Sequence, residues 1–142
     1  KKGAVKAVKV QRLSEEELQS KIAAAKAARA ARVVVEPAAD VPELCAAFSG
    51  QWVGRWSQGN VGRNWLWIAK IDVNCVAKVA TELNPSPPTN FITAEIKDGI
   101  LSIPCNSSTG GTCVFKRSGN DLSASYSNPS GGRNSAVFEK VR

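Results

Sequence analysis

The sequence predicts an all-β protein, a small eight-stranded antiparallel up-and-down barrel preceded by a basic N-terminal arm and one α-helix. Three observations carry that expectation. Residues 51–141 break into eight short segments in which apolar and polar residues alternate. Turn chemistry separates each segment from the next, with no helical pattern between them. Eight strands also make about the smallest barrel that side chains can fill, and closure removes the edges an open sheet would expose. A two-sheet sandwich is the alternative that strand counting leaves open. Residues 1–43 read as arm, helix and linker, and 44–142 as the barrel domain.

The arm comes first in chain order and holds most of the charge. The 142-residue chain carries a formal +7. Residues 1–32 contain nine basic residues against the three acids Glu15, Glu16 and Glu17, whereas the remainder is nearly balanced. Such asymmetry suits an acidic partner surface, an anionic membrane face or nucleic acid. Residues 1–12 mix Lys with Ala and Val, without a turn or cap signal, and are expected to be disordered alone.

Ser14 and Glu17 then form a capping box, with Leu13 and Leu18 placed as a hydrophobic staple. Alanine-rich sequence continues to Arg32, with acids in the first turn and Lys26, Arg29 and Arg32 at the end, matching the helix dipole. The prediction is a helix over 14–32. Its apolar stripe of Leu18, Ile22 and Ala25 is too thin to bury much area. One reading is a docking helix that uses Leu18, Ile22, Lys21, Lys26, Arg29 and Arg32. The other is a solvated helical tail.

Val33 to Val35 reads as an extra strand, Pro37 and Pro42 as a linker, and 43–48 as one or two helical turns. The first barrel strand, 51–57, aligns Trp52, Gly54 and Trp56 on one face. The second, 65–73, aligns Trp65, Trp67, Ala69, Ile71 and Val73, and 76–83 follows with Ala77, Val79, Thr81 and Leu83. A stiff Asn-Pro-Ser-Pro-Pro loop leads to 90–97, and Asp98-Gly99 is a strong hairpin signal into 100–105. The last three strands are placed at 112–117, 121–127 and 135–141.

Four cysteines fall at 45, 75, 105 and 113. Cys105 and Cys113 flank a Gly-rich turn, and folding the first two strands together brings Cys45 near Cys75. Of the three possible pairings, 45–75 with 105–113 is preferred, which implies an oxidising, extracytoplasmic home. Four buried free thiols in a reducing compartment are the competing reading. No paired C-x-x-C motif exists and His is absent, so neither a metal site nor a cofactor is expected.

The lack of His also excludes a Ser-His-Asp triad and a Cys-His pair. Most acids alternate with apolar residues or sit in turns, as solvated positions do. No enzyme activity and no catalytic residue is expected. All four tryptophans lie in one hairpin and are expected on one face. Trp52 reads as core. Trp56, Trp65 and Trp67 are candidates for contacting a ligand, a sugar or a partner protein.

Phe48-Ser-Gly-Gln-Trp-Val-Gly-Arg-Trp followed by Trp67-Ile-Ala-Lys-Ile-Asp-Val resembles small calycin-like barrels, the grouping of lipocalins and avidins, in secreted or periplasmic bacterial proteins. The resemblance spans about 48–141. It implies a short helical turn closing the barrel before Gly50, and a basic residue of the last strand, Lys140 or Arg142, packed across Trp52. Ser49-Gly50-Gln51-Trp52 also resembles, more weakly, the first strand of serralysin-type metalloprotease inhibitors. Those act through a short N-terminal trunk, where this chain has a long arm and a helix.

Mean hydropathy is −0.18, and no apolar run approaches the roughly 20 residues of a membrane helix, so no transmembrane segment is expected. Lys1-Lys2 is followed by no signal-type apolar run, as in a processed mature chain or one never exported. The leading functional expectation is an extracytoplasmic accessory or assembly subunit, its barrel head anchored to a larger complex by the arm. The alternative is a barrel-mouth binder of a protease, small ligand or sugar. Peripheral membrane contact by the arm is compatible with its charge. Nucleic-acid binding is not expected, because residues 1–32 contain no aromatic side chain to stack on bases.

Overall fold

The structure, a computed structural model, describes residues 14–58, 62–82, 90–106 and 108–141, with the backbone alone over 25–31. Residues 1–12, the Leu13 staple contact, the strand end at Leu83 and Arg142 lie outside the described residues. The chain divides into two compact units, residues 1–33 and 34–142. The linker 34–43 therefore groups with the barrel.

In the first unit, helix α1 spans Glu15–Ala31. Its start is set by side-chain chemistry: Ser14 Oγ accepts the Glu17 amide at 3.1 Å and donates to the Glu17 carboxylate at 3.2 Å. Three glutamates occupy the first turn, where the helix dipole favours negative charge. No helix among the described residues is long and apolar enough to cross a membrane.

In the second unit, a one-turn helix α2, Glu43–Ala46, leads into eight strands: β1 (Gly50–Trp56), β2 (Asn64–Ile71), β3 (Val76–Glu82), β4 (Ile92–Lys97), β5 (Ile100–Asn106), β6 (Gly111–Ser118), β7 (Asp121–Ser127) and β8 (Arg133–Lys140). They close in sequence order into one antiparallel barrel, β8 pairing back onto β1. The up-and-down barrel is what the sequence predicts; the sandwich is not formed. Asp98 and Gly99 both take positive φ, 52° and 74°, as a tight β4–β5 hairpin requires. Both expected disulfides, Cys45–Cys75 and Cys105–Cys113, are present.

Two expectations are corrected. Residues 33–35 form no strand; the Val35 amide makes a single ladder-like bond, 2.7 Å, to the Ala69 carbonyl. The second is the phase of β2. The β2–β3 register slips by one residue between Ile68 and Lys70, a β-bulge at Ala69. Leu66 and Ile68 thus share the inner face with Ile71, and Trp65 and Trp67 stand on the outer one. Val73 lies beyond the strand, 52% exposed.

The barrel interior is solid. Trp52, Phe48, Phe115, Phe138, Leu66, Ile68, Leu101, Ile103, Leu122 and Val79 are each under 2% exposed. Gly54 is where Phe138 crosses the β1 backbone: a Cβ there would lie 2.7 Å from two Phe138 ring carbons and from the Val137 carbonyl oxygen. Eight strands leave room for side chains and little else.

Candidate functional site

One end of the barrel is closed around Trp52. Its indole N–H donates to the Phe48 carbonyl at 3.0 Å, which ties β1 to the segment entering it from α2. Register places Lys140 directly across from Trp52, and the Lys140 ammonium sits 5.7 Å from the ring centroid. Arg117 supplies a second cation, its guanidinium carbon 5.9 Å from the same ring. That guanidinium also donates to the carbonyls of Ala47, at 3.2 Å, and Gly119, at 2.6 Å. Arg117 was not among the residues the sequence singles out. Its signal is the phase of Cys113, Phe115 and Arg117, which places all three on the inward side of one strand.

At the opposite end, Trp56 turns inward, in edge contact with Tyr126 and Phe138, with centroids 6.4 and 5.9 Å away. Tyr126 covers Gly111, where any Cβ would strike its ring, and its hydroxyl bonds Thr109 and Asn128. This end is filled by aromatic packing and a polar cap.

The four tryptophans therefore do not share a face. Opposed residues in an antiparallel pair point the same way. Trp52 opposes Leu66 on the inside, while Gln51 opposes Trp67 and Val53 opposes Trp65 on the outside. Trp65 stacks on Trp67 with centroids 6.1 Å apart and planes 17° from parallel. Trp67 is fully buried even on the outer face, and Trp65 is half-buried. The candidates Trp56, Trp65 and Trp67 form no common platform.

An open groove of about 730 Å³ runs over the outer surface of β1, β8 and β7. Arg55, Arg63, Val53, Val137, Ser123 and Ser135 are among the residues that line it. Register explains the grouping, since Arg55 opposes Val137, which opposes Ser123. Arg63 precedes Asn64, the partner of Gly54, so Arg55 and Arg63 leave the β1–β2 ladder side by side. Neither guanidinium makes a hydrogen bond or ion pair among the described residues. Sequence reading missed this groove, because its members come from two hairpins at opposite ends of the barrel sequence, β1–β2 and β7–β8.

In α1, Leu18 and Ile22 are 46% and 51% exposed, and Lys21 beside them is exposed. Arg32 is half-buried, and the side chains of Lys26 and Arg29 lie outside the described residues. Among the described residues no group of three or more His, Cys, Asp or Glu is placed to hold a metal ion. No protein-family model matches the chain, and no curated protein matches it.

Proposed function

We propose that the protein is a non-enzymatic accessory subunit of the periplasm or the secreted fraction, its barrel a stapled solid head and its arm the anchor to a larger complex. The observation that carries this reading is the exposed Leu18–Ile22 stripe. It lies on a helix capped by its own residues, in a unit separate from the barrel. A capped helix with one narrow apolar stripe gains most of its stability when that stripe is covered. The basic charge of residues 1–32 points to an acidic protein surface as the cover. Two disulfides favour the oxidising compartment. The calyx-type alternative finds less support, because bulky side chains fill the barrel interior.

A photo-reactive amino acid placed at Ile22 in the source cells tests the reading. It should give a discrete protein adduct that Leu18→Glu abolishes, whereas the same probe at Lys97 on the barrel should give none. Adducts with lipid alone, or with protein only from Lys97, contradict it.

A further inference from the structure

The groove over β1, β8 and β7 carries chemistry that the anchoring role of the arm does not use. At one end Arg55 and Arg63 stand side by side with no ion pair or hydrogen bond among the described residues. Arg63 stands one residue outside the β1–β2 ladder, and two like charges lining one end of a groove repel, so an anion placed between them is favoured. Two guanidiniums in that arrangement match a carboxylate, which a planar fork grips in bidentate fashion. Beyond them lie Val53 and Val137, the latter 55% exposed on a strand of otherwise ordinary polarity. Hydroxyls border this row: Ser57, two residues beyond Arg55, comes within 3.4 Å of Ser135, and Ser123 lies opposite Val137 at the far end.

The dimensions narrow the ligand further. From the Arg63 end to Ser123 the groove crosses three inter-strand spacings, roughly 14 Å at about 4.8 Å each. An extended peptide rising about 3.4 Å per residue places four residues along that length. Among the described residues no aromatic side chain lines the groove, so they offer no platform for a base or a sugar ring. Glu139, which lies opposite Val53, would repel a second acid over the apolar pair.

We infer that this groove binds a short acidic peptide segment, with one carboxylate held between Arg55 and Arg63, a small apolar residue over Val53 and Val137, and a polar residue at Ser123 and Ser135. The inference does not rest on the role of the arm.

The test is an NMR titration of the intact 15N-labelled chain with the tetrapeptide acetyl-Glu-Val-Ser-Ala-amide and with its Gln counterpart. Saturable shifts are expected at the amides of Val53, Val137 and Ser135. The Gln peptide should bind roughly tenfold more weakly or worse, having lost the charge-assisted pair. Arg55→Ser with Arg63→Ser should lose affinity to a similar degree. Lys78→Ser with Lys97→Ser removes the same charge from the other side of the barrel and should stay within about twofold, because distant exposed charges are screened. Equal binding of the Gln peptide overturns the inference without recourse to any variant. So does an equal loss in the Lys78 and Lys97 variant. Displacement of the peptide by inorganic phosphate or a heparin tetrasaccharide at lower concentration would overturn it too, marking a general polyanion surface instead.

Discussion

At the scale of single residues, Trp52 is the pivot of the barrel. It is fully buried, bonded through its indole to Phe48, and faced by both Lys140 and Arg117. The two cations are not equivalent. Lys140 is exposed and contributes through the ring alone, so Lys140→Met should cost about 0.5–1 kcal/mol in a urea unfolding measurement. Arg117 also bonds two backbone carbonyls, one of them just before β1, and Arg117→Met should cost about twice as much. A reversed order would mean that the Ala47 and Gly119 bonds contribute nothing. Gly54→Ala is a third residue-scale prediction. The added methyl meets the Phe138 ring and the Val137 carbonyl at 2.7 Å, and the unfolding midpoint should fall by the equivalent of about 1–3 kcal/mol.

At the scale of elements, the two disulfides hold different lengths of chain. Cys45–Cys75 spans 30 residues and joins the α2 turn to the β2–β3 turn, whereas Cys105–Cys113 spans 8 within one hairpin. Loop-closure entropy gives about 3.5 kcal/mol for the first and about 2.5 for the second. Replacing Cys45 and Cys75 with Ala should therefore lower stability more than replacing Cys105 and Cys113; equal losses in thermal or urea unfolding would contradict the entropic account. Strand positions were legible because turn chemistry such as Asp98-Gly99 punctuates the chain, and, the Leu83 end aside, strand ends among the described residues fall within two residues of their expected places. The phase of β2 was not. Trp65-Leu66-Trp67-Ile68-Ala69 is apolar at every position, so alternation offers two equally good faces. A bulge, which has no fixed sequence signature, decided between them. The groove escaped for a different reason: Arg55, Ser123 and Val137 become neighbours only once β8 closes onto β1 and β7.

At the scale of the whole molecule, the distribution of charge and the distribution of packing diverge. The barrel holds the buried core and both disulfides, while the charge and the exposed apolar stripe of α1 belong to residues 1–33. On this account recognition is external, carried by the arm and by the outer surface of the barrel. The most direct test compares the intact chain with residues 34–142, which keep all eight strands and both disulfide pairs. Each is immobilised and exposed to the same extract of the source cells, and the retained complex is quantified. The account predicts that the intact chain holds the complex at least roughly tenfold more tightly, the equivalent of covering one apolar stripe and a few charges. Equal retention by residues 34–142 would contradict it and place the anchor on the barrel.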